Sequence, residues 1–199
     1  MTFSIALLVY VVFTATAAFG LVSTAIKSPF PQKWVWVLGF GILTANALCN
    51  ALYQHGGMFV ALLPMLYPLM AALETTATLA LVVGAYSSLH KDSISSHWYS
   101  LPTGCAPITM LAQYFPSYYI QVAFVTVFLA YVLVKERSGV AWVLPFGLFL
   151  GSTAVRALGL GALVLSADEL SAALLAAASL IFALLATGAS LQIGKVKLG

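Results

Sequence analysis

Residues 58–89 read MFVALLPMLYPLMAALETTATLALVVGAYSSL, an apolar run with one formal charge, Glu74, almost at its centre. No other charged side chain falls within fourteen residues of Glu74 on either side. A helix crosses the roughly 30 Å hydrocarbon core of a bilayer with about 20 apolar residues, so this run is long enough to span. A carboxylate at that depth costs several kcal/mol unless it is paired, protonated or hydrated. Glu74 is therefore the first candidate for function.

The flanking sequence repeats the pattern. Further apolar runs occupy approximately 3–26, 34–54, 117–134, 140–165 and 169–192, which with 58–89 predicts six spans. The breaks are rich in residues that stop helices: Lys27-Ser28-Pro29-Phe30-Pro31, Gln54-His55-Gly56-Gly57, Lys135-Glu136-Arg137-Ser138-Gly139 and Ser166-Ala167-Asp168. Short turns of this kind force antiparallel neighbours, so spans 2–3, 4–5 and 5–6 are predicted hairpins. The composition agrees, with 62% hydrophobic and 7% charged residues and a mean hydropathy of +1.05. Soluble domains carry about 25% charged residues, and this chain cannot cover itself with a polar surface. The expectation is an all-α, multi-pass integral membrane bundle forming a single transmembrane domain over 1–199, with no soluble domain. Its location would be the cell membrane in a prokaryote.

The first run superficially resembles a signal peptide. It lacks a basic leading region and continues past Gly20 to about Thr24, which reads as a first spanning helix. No lipidation motif is visible. Cys49 and Cys105 are too few for a disulfide framework. The net charge of +3 is ordinary membrane-flanking charge and gives no reason to propose nucleic acid as a partner.

Residues 90–116 form the one long connection. Its second half is apolar and aromatic, bounded by Pro102 and Pro116, and predicts an interfacial or re-entrant segment around 105–115. With six crossings, Lys27, Lys33 and Lys91 share one side, and Lys135, Arg137, Lys195 and Lys197 the other. That split barely decides the positive-inside rule, and places both termini in the cytoplasm. An additional crossing before Lys135 would instead put every Lys and Arg outside the helices on one side.

Polar residues inside the spans are few. Asn46, Asn50 and Gln54 recur every fourth residue of the second span and lie on one helical stripe. Pro64 and Pro68 precede Glu74 and predict a kink. In the fifth span, Ser152 and Arg156 share a face, after a GxxxG formed by Gly147 and Gly151 that lets another helix approach closely. Spans 3 and 5 run parallel in a six-crossing arrangement. An arginine leans toward its helix N-terminus, here toward the midplane, so a Glu74–Arg156 ion pair is allowed. Two readings follow: a buried structural bridge with the asparagines as interhelical glue, or the lining of a solute, proton or quinone path. Asp168 and Glu169 precede the sixth span, where Ser166 or Asp168 can cap the helix and the acids complement its dipole. That span is rich in alanine, which suits tight packing within the bundle or against another subunit.

Several chemistries fail on placement. His55 and His90 end successive spans on opposite faces, which excludes an intramembrane bis-histidine site, and no lysine lies within a span to form a Schiff base. The three candidate ligands His90, Asp92 and His97 lack the fixed spacing of a metal site. HExxH, GxSxG and Walker-type loops are missing from the chain. No motif names a cofactor or ties the chain to a family.

The favoured expectation is a non-enzymatic transport, channel or substrate-binding component with a polar midplane site lined by Asn46, Asn50, Glu74, Ser152 and Arg156. The first alternative is a structural subunit of a larger respiratory, secretion or translocation-type membrane complex. The second is a membrane enzyme acting on a lipid or quinone. The partners implied are the bilayer and either other membrane subunits or further copies of the chain.

Overall fold

The computed structural model describes residues 5–29, 33–56, 59–89, 117–135, 137–161, 165–188, 191–193 and 196–198. Six α-helices account for most of these: α1 (Ile5–Lys27), α2 (Lys33–His55), α3 (Phe59–Leu89), α4 (Ser117–Lys135), α5 (Val143–Leu158) and α6 (Ala167–Ala186). A 3-10 turn, Arg137–Trp142, leads into α5. After α6 the chain forms a small antiparallel hairpin of β1 (Leu191–Ile193) and β2 (Val196–Leu198). Five helical stretches are long and apolar enough to cross a membrane, and α4 contributes a shorter apolar helix, Tyr119–Lys135. The predicted multi-pass helical membrane bundle is the observed fold. The interfacial or re-entrant segment predicted at 105–115, with Cys105, His90 and His97, lies outside the described residues. So do the side chains of 62–68, although α3 continues as one helix through Pro64 and Pro68.

Helix ends follow local chemistry. The fifth span, predicted to reach residue 165, stops at Leu158 because Gly159 takes a left-handed conformation (φ 64°). The Leu160 amide donates to the Val155 carbonyl at 3.0 Å and the Gly159 amide to Arg156 at 3.4 Å, which closes the helix in a Schellman turn. Ser166 then starts α6 with a capping box. Its hydroxyl accepts from the Glu169 amide at 3.3 Å, and the Glu169 carboxylate accepts from the Ser166 amide at 2.7 Å. The sixth span ends at Ala186, short of the predicted 192.

Neighbouring helices form a closed ring in chain order: α1 packs on α2, α2 on α3, α3 on α4, α4 on α5, α5 on α6, and α6 back on α1. Contact pairs fix the directions. Along α2 and α3, Asn46 meets Glu74, Gly39 meets Leu81 and Trp36 meets Gly84, an antiparallel ladder. Between α3 and α4, Tyr86 and Tyr131 lie 5.7 Å apart by ring centroid, and Gly139 touches both Leu89 and Val132. The C-terminal ends of α3 and α4 therefore share one end of the bundle, and the two helices run parallel. Helices α1 and α6 are also parallel, with Pro29 beside Gly188 at that same end.

This corrects the predicted topology. The first and last described helices point the same way, so the described ends of the chain lie on opposite faces, and α3 and α5 run antiparallel. The cause is the connection between Leu89 and Ser117, whose attachment points sit at opposite ends of the ring. One face, the basic end, carries Lys27, Lys33, Lys135, Arg137 and, through β2 packed on the 3-10 turn, Lys197. That is the charge distribution which the alternative with an additional crossing requires.

Aromatic rings fill the interior toward the basic end. Trp36 stacks on Trp142 at 5.3 Å, Phe146 meets Phe182 edge-on at 4.7 Å and Phe128 at 5.0 Å. Trp36, Phe40, Phe146 and Phe182 are fully enclosed. Such pairs contribute about 0.5–1.5 kcal/mol beyond simple burial. Close approach comes from glycines other than the predicted pair. A Cβ on Gly84 would stand 2.7 Å from the Trp36 ring, and one on Gly20 would strike Phe40. Gly147, by contrast, has nothing within 4 Å, and Gly151 only Leu174 at 3.8 Å. The GxxxG is thus not a close helix crossing within the described chain. On the outer side of the α1–α6 contact, Leu8, Val12 and Thr16 face Ala173, Ala177 and Leu180 across an open apolar groove of about 380 Å³.

Candidate functional site

Asn46, Asn50, Glu74 and Arg156 come together on the side of the aromatic layer away from the basic end. Glu74 projects from α3 toward α2, where Asn46 Nδ2 donates to its Oε1 at 2.7 Å. Asn50 stands one turn further along α2 and donates to Asn46 Oδ1 at 3.1 Å and to the Asn46 carbonyl at 3.0 Å. Asn46 is thereby oriented with its NH2 group toward the carboxylate. Thr78 donates to the Glu74 carbonyl at 2.9 Å.

Arg156 reaches the same oxygen from α5, with Nη1 at 3.4 Å from Glu74 Oε1. The predicted ion pair forms, but by a different geometry. Arg156 stands in the last turn of α5, about 3 Å of rise from the helix end. Its side chain leans back toward the helix N-terminus and so into the ring. A cation at a helix C-terminus is favoured by the macrodipole. On its other side, Nε lies 3.8 Å from Asp168 Oδ1 at the start of α6. Asp168 is free for this role because Ser166 and Glu169 already complete the cap. Tyr10, buried on α1, lies within electrostatic reach of Arg156, Asp168, Glu169 and Glu74.

The cluster is open. The side chains of Arg156, Glu74 and Asp168 are 40%, 20% and 70% exposed, so the described helices do not enclose the pair. Helix α2 continues from Asn46 to His55, a further rise of about 13 Å. The polar groups lie beside the α5–α6 turn, in a region termed the vestibule, with the aromatic layer between them and the basic end. Glu74 stands at the middle of α3, whereas Arg156 stands in the last turn of α5.

Asn46, Asn50, Glu74 and Arg156 come together as the sequence suggested. Ser152 does not join them: it is buried and shares a 2.8 Å hydrogen bond with Ser171, stapling α5 to α6 below the vestibule. Gln54 is exposed near the end of α2. Asp168, read from sequence as a helix-dipole residue, and Tyr10 are additions. The signal for Asp168 was available in the paired glycines Gly159 and Gly161, which end α5 early and bring the start of α6 level with Arg156. Nothing in the spacing marks Tyr10, because its placement depends on α1 closing against α6. Among the described residues no group of three or more His, Cys, Asp or Glu side chains is arranged to hold a metal ion.

The fold is that of a multi-pass helical membrane protein, with a part-exposed charged cluster beside the α5–α6 turn. No family model, no curated protein and no solved structure matches the chain.

Proposed function

We propose that this is a small solute-binding component of membrane transport, with its binding site in the vestibule formed by Asn46, Glu74 and Arg156. The observation that carries the reading is the loose, part-exposed Glu74–Arg156 contact of 3.4 Å. A bridge built only for stability gains from short, bidentate geometry and exclusion of water. Here both partners keep hydrogen-bonding capacity and access, as groups that exchange water for a ligand require. The packed aromatic layer favours a binder or carrier over an open channel, since passage requires that layer to rearrange.

The test is a thermal-shift survey of the purified protein in mild detergent against small polar solutes. A solute that stabilises the native protein, and fails with both Glu74→Gln and Arg156→Gln, supports the reading. Stabilising solutes that act equally on both variants sink it.

A second reading, a structural subunit of a membrane complex, is favoured by the unoccupied space around Gly147 and by the α1–α6 groove. Small residues on exposed helix faces suit helix docking in lipid. Purification at the mass of a single chain plus detergent counts against it.

A further inference from the structure

Tyr10 is a buried phenol that the ion pair leaves without a role. The buried stripe of α1 runs through Ala6, Tyr10, Phe13, Ala17, Gly20 and Thr24, the spacing of a helix face turned into the ring. A long side chain on a helix leans toward the N-terminus, so the Tyr10 ring passes over the small Ala6 toward the end of the bundle where α6 begins. Its electrostatic neighbours agree with that placement. Arg156, Asp168, Glu169 and Glu74 all act on Tyr10, and Tyr10 acts on Arg156 alongside Glu74 and Asp168. Tyr10 is 5% exposed, and among the described residues its hydroxyl makes no hydrogen bond. A buried phenol ordinarily finds a partner for its O–H, and a donor left unmet costs stability.

Arg156 has unused donors as well. A guanidinium carries about five N–H groups in a fixed fork. Its Nη1 reaches Glu74 Oε1 at 3.4 Å, while Nε stands 3.8 Å from Asp168 Oδ1, beyond hydrogen-bond reach. With its side chain 40% exposed, Arg156 offers the remaining donors to an incoming group. Charge then selects the class. Glu74 and Asp168 set two negative charges against a single guanidinium, so an anion is repelled. A cation finds the position between the two carboxylates already held by that guanidinium. The group that fits is an uncharged acceptor.

We propose that Tyr10 and Arg156 together hold an uncharged carbonyl group, whose oxygen accepts from the Tyr10 hydroxyl and from a guanidinium N–H that Glu74 leaves free. This rests on the solute-binding reading above and names its substrate class, with Tyr10 as a specificity-determining residue. A carbonyl oxygen has lone pairs for both donors and adds no charge to the cluster. The Asn46–Glu74 hydrogen bond stays in place, because the carbonyl takes donors that the carboxylates do not use.

An amide from the water phase and a quinone from the bilayer offer the same carbonyl, and the test separates them. Propionamide, propionate and propylammonium, matched in size, and a short-tailed benzoquinone are titrated calorimetrically into the full chain in phosphatidylcholine nanodiscs. The expected result is saturable binding of the amide, the quinone or both, and of neither ion. Tyr10→Phe should weaken that binding about three- to tenfold, the effect of one neutral hydrogen bond. Arg156→Lys, which keeps the charge and loses the fork, should weaken it about tenfold or more. Binding of the amide alone identifies a water-soluble solute, and of the quinone alone a lipid-soluble one; either supports the carbonyl class. The hydroxyl makes no bond in the ligand-free chain, so thermal unfolding of Tyr10→Phe without ligand should match the native protein. A lower midpoint assigns the hydroxyl to the fold and overturns the proposal. Carbonyl binding indifferent to Tyr10→Phe, or no binding of any probe, also overturns it. Binding of propionate or propylammonium that is lost in Glu74→Gln and Arg156→Gln overturns the carbonyl assignment while leaving the solute-binding reading intact.

Discussion

At the scale of single residues, the hydrogen bond from Asn46 does more for Glu74 than the arginine does. The amide contact is short, at 2.7 Å, and is backed by Asn50, whereas Arg156 approaches at 3.4 Å and is shared with Asp168. Exposed ion pairs contribute about 0–1 kcal/mol, and a hydrogen bond to a charged group about 1.5–3 kcal/mol. A double-mutant cycle on Glu74→Gln and Arg156→Gln, scored by thermal stability in mild detergent, should therefore give a coupling below about 1 kcal/mol. Asn46→Leu should cost about 1.5–3 kcal/mol in the same assay. The opposite ranking would mean that the bridge is structural after all. The pairing of Glu74 with Arg156 was legible in sequence because charges inside apolar runs are expensive and seek each other. The depth of Arg156 was not, because the left-handed turn at Gly159 competes with an apolar pattern that runs on for several more residues.

At the scale of elements, the working glycines are those opposite bulky rings. Gly84 lets α3 approach α2 across the Trp36 indole, and Gly39 does the same against Leu81. Gly84→Ala should lower stability by about 1–3 kcal/mol despite the better helix propensity of alanine. Gly147→Ala, which meets nothing within 4 Å, should be neutral or stabilising by up to about 1 kcal/mol in the isolated chain. Thermal unfolding of the two variants side by side checks both. The capping box is the element-level feature that sequence revealed most directly, since Ser166 and Glu169 stand at the spacing the motif requires. Ser166→Ala should cost about 1 kcal/mol. The GxxxG misled for a physical reason: a small-residue motif permits close approach but does not say that a partner is present. Its tenant is decided by how neighbouring helices are ordered around the ring.

At the scale of the whole molecule, the positions of the described apolar helices were readable because hydropathy reports them residue by residue, although the fifth and sixth end before their apolar runs do. The direction of α4 was not, since an apolar run has the same composition either way up. Contacts settle it: Tyr86 with Tyr131, and Gly139 with Leu89 and Val132, place the ends of α3 and α4 together. With Lys27, Lys33, Lys135 and Arg137 gathered on that face, the positive-inside rule predicts a cytoplasmic basic end and an outward-facing vestibule. In a background lacking Cys49 and Cys105, Ser28→Cys and Gly188→Cys should both resist a membrane-impermeant maleimide applied to intact cells. Gln54→Cys should react with it. Labelling of Gly188→Cys together with Gln54→Cys would restore the six-crossing arrangement.

The parallel contact between α1 and α6 has a consequence for biosynthesis. A ring whose earliest and latest helices are neighbours stays unclosed while the ribosome is still making the second half of the chain. During that interval Glu74 must already reside in the membrane, yet Arg156 lies 82 residues further on and does not exist. Asn46, only 28 residues ahead of it, does. The asparagine thus acts as an escort, giving the carboxylate a donor from the moment the α2–α3 hairpin enters the bilayer until its charged partner is translated.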